Sequence, residues 1–336
     1  MVAVSWERAG NLLKDVEELM RDLSRRLGEP VLGPMALEHL ATGGKRLRAR
    51  LALAAVDALG TDAEQGLGWA AACELLHNAT LIHDDIQDGD EVRRGHPTTW
   101  ARHGREQAIN VGDLMLLLPL VAVGEADLDD AIKARLATAL GRHACAVISG
   151  QGAELEMGQQ GRTERDIYVK TVVGKTSGLF ELPVEGAAIV AGRSAAQAAN
   201  LSAAFRPMGI LFQMQDDVLD LYGDKGRGSP GSDIREGKIS ALVVEHLGCC
   251  PADRDWLLSL LRTPRDQTPD DEVRRAIERM RTSGALAAVS RRIAEESERI
   301  RNDSAWTTEP ALGEIAMRLV DRVLEPVASV LTLTKR

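Results

Sequence analysis

LGWAAACELLHNATLIHDDIQDGDEVRRGHPTTW, residues 67–100, begins with small and apolar residues recurring three and four apart and ends in a burst of opposed charge. Ala and Leu, both strong helix formers, dominate its first part, so the stretch predicts a buried helix. Residues 81–100 then carry five acidic residues and two arginines directly behind that apolar run. Asp84 and Asp88 lie one helical turn apart and share a face, with Asp85 beside them.

The same helical spacing returns along the chain. ARLATALGRHACAVISGQGAELEMG and AAFRPMGILFQMQDDVLDLYG both keep it, whereas alternating β-rich runs with hairpin turns are scarce. The second of these segments ends in Asp216, Asp217 and Asp220, repeating the first carboxylate spacing 132 positions later. YGDKGRGSPGSD is a Gly-rich loop and RTPRDQTPDD a polar, Pro-containing connection, but neither has the length or composition of a domain linker. No short-period repeat is visible. With 336 residues, 44% of them hydrophobic, the chain can bury a substantial core, and one all-α domain over residues 1–336 is the architecture we expect.

Composition narrows the function. A formal net charge of −9 argues against a nucleic-acid surface while allowing a local basic pocket for a small anion. MVAVSWERAGNLLKDVEELM does not have the pattern of a signal peptide, and Leu114 to Val123, interrupted by Pro119, is too short to span a bilayer. A cytoplasmic protein without a membrane span is therefore expected. Cys73, Cys145, Cys249 and Cys250 lack paired zinc spacing and a secretory context, so they are expected as free thiols.

One DDxxD is an ordinary solvated helix face. Two copies, each following strongly apolar helix, imply carboxylates projecting from buried helices into a cavity, where like charges repel unless a cation joins them. Oxygen-only ligands suit Mg²⁺, which bridges carboxylates to substrate phosphates. Cations accompany the clusters: Lys45, Arg46 and Arg48 in GGKRLRARL, Arg93 and Arg94 in RRG, Lys175 in VGKTSG and Lys238 in EGKIS. Arg gives planar, multidentate phosphate contacts and Lys a compact charge. Together these groups point to diphosphate chemistry.

In order and spacing, GGKRLR, HDDIQDGDEVRRGHPT, GKT, FQMQDDVLD and GSDIREGK make the chain resemble the trans-isoprenyl diphosphate synthases, the polyprenyl synthetase family, over nearly its whole length. The resemblance implies an all-α helical bundle of the isoprenoid synthase type around a deep central cavity, usually a homodimer. It implies Mg²⁺-dependent joining of isopentenyl diphosphate to an allylic diphosphate, with three Mg²⁺ ions per active site and Mn²⁺ able to stand in. Lys45, Arg48, His77 and Arg94 match the family's isopentenyl-diphosphate ligands. Arg93 and Lys175 match residues that hold the allylic diphosphate, Thr176 and Gln213 line the reaction centre, and Lys238 is a further substrate-binding cation. Asp84, Asp88 and Asp216 match the principal metal ligands, with Asp85, Asp217 and Asp220 supporting the metal shell. His83, His96 and His103 receive no role.

Two departures stand out. Where family members commonly read GKPxGSD, this chain reads GSPGSD, so Ser229 replaces a lysine of the allylic site, and Lys225 or Arg227 is the candidate substitute; Ala49 stands where proline is usual. The resemblance implies that product length is set by Leu76, Ala79 and Thr80 on the helix of Asp84. In the family, bulky aromatics four or five residues before the motif stop growth at the farnesyl stage. Here those positions are small, which implies a geranylgeranyl product, with longer chains or farnesyl as alternatives. A class I terpene cyclase shares the fold but not QDDVLD with GGKRLR, and a non-catalytic subunit would be expected to have lost one aspartate cluster.

Overall fold

The helix foreseen from residues 67–85 runs from Leu67 to Asp88 in the computed structural model, which describes residues 2–223 and 230–333. Its first part is buried on every side, from Trp69 through Leu76, as a helix apolar all round must be. The Trp69 indole N–H is matched to the Pro183 carbonyl at 3.1 Å, so this large side chain enters the core without a lost hydrogen bond. Gly89, at φ +70°, ends the helix in the left-handed conformation that a residue with a Cβ adopts only at a cost.

Among the described residues, helices account for nearly all regular structure; the exception is one hairpin of two-residue strands, Val92–Arg93 paired with His96–Pro97. The chain divides into two compact units. The first comprises Met1–Cys145, Leu179–Phe205 and Ser304–Ile315. Within it, Leu67–Asp88 packs chiefly against Arg105–Gly124 and against Leu47–Ala58, whose face of buried alanines allows close approach. Leu114 to Val123, expected to be too short for a bilayer, is part of a 20-residue helix that by length and composition alone could cross one. Its buried face, with Val111, Met115 and Leu118, belongs instead to the core of this unit.

The second unit comprises Ala146–Gly178, Arg206–Asp303 and Ala316–Arg336. Its centre is Arg206–Tyr222, packed against Ala285–Arg301. Asp270–Thr282 shows how local chemistry sets an element: acidic residues fill its first turn and arginines its last, matching the helix dipole, while Val273, Ala276 and Met280 form the buried stripe. The four cysteines form no disulfide with one another.

Candidate active site

In the first unit the loop before Leu47–Ala58 is held by a residue whose sequence suggests a ligand. Arg46 adopts φ +46°, is buried, and donates to the Leu40 carbonyl (2.9 Å) and to Glu17 (2.9 Å). Buried Glu74, reaching across from the Leu67–Asp88 helix, accepts the Ala49 N–H at 3.2 Å and lies 3.9 Å from Arg46. That carboxylate does the work of a helix cap, satisfying an amide that Arg46 at the N-cap leaves open. The frame carries Lys45 and Arg48 on either side. Arg48 is buried, its guanidinium 5.0 Å from the centroid of the Phe180 ring.

The hairpin supplies the next two cations. Arg94 (φ +53°) and Gly95 (φ +78°) form its two-residue turn, the paired positive φ values of a type I′ connection. Arg93 is buried and donates through Nε and Nη2 to Asp85 Oδ1 at 2.7 and 2.6 Å. Arg94 donates to the Gly43 carbonyl, and a Cβ on Gly44 (φ +141°) would lie 2.7 Å from the Arg94 guanidinium, so a side chain there would displace it. His77 stands among these charges. Burial, then Arg48, Arg94, Arg93 and His39, hold it well below the usual histidine range, so it is a neutral imidazole, and its Nδ1 is buried without a hydrogen-bond partner.

The aspartates of the first motif differ in environment. Asp84 and Asp88 are partly exposed, whereas Asp85 is 1% exposed and committed to Arg93. Burial pushes Asp85 up to about 6 despite the opposing hydrogen bond from Arg93.

The second unit repeats this division. Asp216 is partly exposed. Asp217 is buried and accepts from Tyr168 Oη (2.9 Å), Gln213 Nε2 (2.9 Å) and the Ala241 N–H (2.7 Å). Asp220 is buried and accepts from the Ser232 hydroxyl and from the Asp233 N–H at 3.1 Å, which ties the turn Ser232–Arg235 to the helix. The sequence shows six equivalent carboxylates. The fold buries Asp85, Asp217 and Asp220 and leaves Asp84, Asp88 and Asp216 partly exposed. These three are hard oxygen donors, the chemistry a divalent metal bridging to phosphate requires.

Lys175 and Thr176 sit in a single π-helical turn, Val173–Ser177. Two glycines make room for this wider turn. A Cβ on Gly150 would lie 2.2 Å from the Lys175 nitrogen, and one on Gly209 would lie 2.3 Å from the Ser177 Cα. Single π turns recur at functional sites because they re-aim side chains. Here Lys175 pairs with Glu154, and Thr176 Oγ1 donates to Gln213 Oε1 at 3.2 Å. Lys238 lies 2.7 Å from Glu236 and 3.9 Å from Asp233.

On the Leu67–Asp88 helix, Thr80 is half-buried, whereas Ala79 and Leu76 are 0% and 1% exposed. Of the three residues named for chain length, Thr80 alone retains an accessible side. Ser229, Lys225 and Arg227 lie outside the described residues. Sequence reading passed over Glu74, Glu154 and Tyr168, whose partners are 25, 21 and 49 residues away; no local motif marks them.

Comparison with known proteins shows the family. The polyprenyl synthetase family model matches residues 30–280. The chain is 38% identical over 232 residues to the short chain isoprenyl diphosphate synthase of Methanothermobacter thermautotrophicus, covering 67% of this chain and 70% of that one. It is 34% identical over 225 residues to the geranylgeranyl diphosphate synthase of Saccharolobus solfataricus, covering 66% and 68%. The crystal structure of a polyprenyl synthase from Caulobacter crescentus, complexed with calcium and isoprenyl diphosphate, superposes with a TM-score of 0.83 at 27% identity, covering 96% of this chain and 97% of that one. Two aspartate motifs with their attendant cations, on an all-α scaffold shared nearly end to end with such enzymes, make this chain a member of the polyprenyl synthetase family, a prenyltransferase of the isoprenyl diphosphate synthase type.

Proposed function

We propose that this chain extends an allylic diphosphate with isopentenyl diphosphate and releases geranylgeranyl diphosphate, its residues 1–336 acting as one polyprenyl synthetase domain. The observation that carries the reading is the division among the aspartates. Asp84, Asp88 and Asp216 are partly exposed, whereas Asp85, Asp217 and Asp220 are buried, where they hold Arg93, Gln213 and residues 232–235. We assign Mg²⁺ to the open three, since oxygen-only donors with solvent access suit it. Bound there, Mg²⁺ supplies positive charge that stabilises the diphosphate as it departs.

The chain's own groups do the rest. Arg93, fixed by Asp85, and Lys175, carried on the π turn, hold the allylic diphosphate, with Lys238 as a further cation. Lys45, Arg48 and Arg94 hold the isopentenyl diphosphate, beside a neutral His77 that donates an N–H without adding charge. Thr176 and Gln213 line the reaction centre. The isopentenyl double bond forms the new carbon–carbon bond as the allylic carbon–oxygen bond breaks, and a proton then leaves to the departing diphosphate. Small residues at 79 and 80 leave out the aromatic floor that stops growth at farnesyl.

The enzyme works in the cytoplasm as a homodimer. Ile109, Leu117 and Leu120 support this assembly: they share one side of Arg105–Gly124 and are 46%, 61% and 44% exposed, an apolar patch larger than isolated surface residues would make.

Incubation of purified protein with isopentenyl diphosphate and each allylic primer, followed by sizing of the prenyl alcohols, tests the product. Asp84→Ala and Asp216→Ala each lower turnover by orders of magnitude while the fold survives, because each removes a metal ligand and little core volume. Full turnover in excess chelator refutes the metal assignment.

A further inference from the structure

A chain of hydrogen bonds inside the second unit runs from Thr176 to a tyrosine that no motif marks. Thr176 Oγ1 donates to Gln213 Oε1 (3.2 Å), Gln213 Nε2 donates to Asp217 Oδ1 (2.9 Å), and Tyr168 Oη donates to Asp217 Oδ2 (2.9 Å). An ionised aspartate only accepts, so Asp217 draws the NH₂ end of the Gln213 amide toward itself and turns the carbonyl end toward Thr176. Tyr168 is 3% exposed, at the middle of Arg165–Val172, and it does not belong to the open face that carries Asp216. Burial, reinforced by the Asp217 charge, pushes its phenol well above the usual tyrosine range, so it stays a donor throughout the working pH range.

We propose that Tyr168 is a positioning residue for the condensation: its hydroxyl pins Asp217, Asp217 pins the Gln213 amide, and Gln213 therefore presents one fixed orientation at the reaction centre. The proposal rests on the reading of Gln213 as a reaction-centre residue. It differs from simple packing, because a packing role would be felt whatever residue stands at 213. The geometry also explains why Tyr168 and Thr176 lie on consecutive segments. One engages Asp217 and the other Gln213, so two contacts one turn apart on the Arg206–Tyr222 helix are set by the π turn and by the helix that leads into it.

The test is a double-mutant cycle in the full-length enzyme with Mg²⁺, isopentenyl diphosphate and an allylic primer. Tyr168→Phe removes only the hydroxyl and lowers kcat about tenfold, the rate equivalent of one well-placed hydrogen bond, with both KM values and the Mg²⁺ concentration for half-maximal rate unchanged. In a Gln213→Met background the same substitution changes kcat less than about twofold, because the group it acts through is gone. Asp217→Asn, made in the same two backgrounds, checks the link from its middle and shows the same non-additivity. Equal losses from Tyr168→Phe in both backgrounds, or no loss in the wild-type background, overturn the proposal. Failure of the wild-type protein to make any prenyl product would instead count against the proposed function.

Discussion

Gly150→Ala places a methyl carbon 2.2 Å from the Lys175 nitrogen, 2.5 Å from the Gly174 carbonyl carbon and 2.8 Å from the Lys175 Cα. All three are backbone atoms, so no flexible side chain can swing aside. Ordinary contact lies at about 3.5–4.0 Å, so the π turn must retreat from the Asp130–Gln160 helix by about 1.3–1.8 Å. Overpacking of this kind costs about 1–3 kcal/mol. The better helix propensity of Ala offsets about 1 kcal/mol of that, so the fold survives with reduced stability. Catalysis is less forgiving, since a displacement of about 1 Å can cost about a hundredfold in rate. We therefore expect kcat/KM for the allylic substrate to fall about a hundredfold. Gly152→Ala is the control: it lies on the same helix, and its Cβ would meet nothing within 4 Å. That variant keeps full activity and gains about 0.5–1 kcal/mol of stability. Thermal melts and initial rates on the two proteins decide the matter, and a Gly150→Ala enzyme with wild-type kcat/KM refutes the crossing as the determinant of Lys175's position.

Two further expectations follow from burial. Thr80 lies one turn, about 6 Å, before Asp84 on its helix, so Thr80→Phe shifts the product toward farnesyl with the fold intact, whereas Ala79→Phe enters a fully packed site and is destabilised by about 1–3 kcal/mol; product sizing and melts on both variants would contradict this if Ala79→Phe shortened the product and Thr80→Phe left it unchanged. Glu185 is buried, which raises its carboxyl, yet hydrogen bonds from His143 and Arg142 outweigh burial and leave it below its usual value of 4.5. Its contribution to stability is thus present above pH 4.5 and lost as pH falls through the lower folded value. Glu185→Gln should flatten that part of the thermal midpoint–pH curve, and an acid-side slope equal to that of the wild type would assign the loss to other carboxylates.

The helices were legible because spacing of three and four residues is a local signal, and it served equally for Leu67–Asp88 and Arg206–Tyr222. The aspartate repeat was legible too, as a pattern. Its internal division was not, because the donors that occupy Asp85, Asp217 and Asp220 come from a hairpin, a helix and a turn whose proximity is a tertiary fact. Arg46 misleads for a related reason. Nothing in GGKRLR distinguishes an arginine whose left-handed backbone turns it into the core from its neighbours Lys45 and Arg48. The π turn was invisible because it depends on glycines from two other helices meeting one segment. The hairpin escaped notice because its strands are only two residues long and its turn reads Arg-Gly, without the Asn-Gly or Asp-Gly that announces such turns.

That hairpin sends adjacent arginines to separate partners: Arg93 turns to Asp85 and Arg94 to the Gly43 carbonyl, with only the two-residue turn between the strands. Arg93 is a strand residue and Arg94 a turn residue, so one residue inserted or removed between Gly89 and Arg93 would move both away from their partners at once. Substitution elsewhere in 89–97 changes one contact at a time; a change of length would rewire both at once. The segment is thus a ruler as well as a carrier of charge, tolerant of many spellings but of a single count.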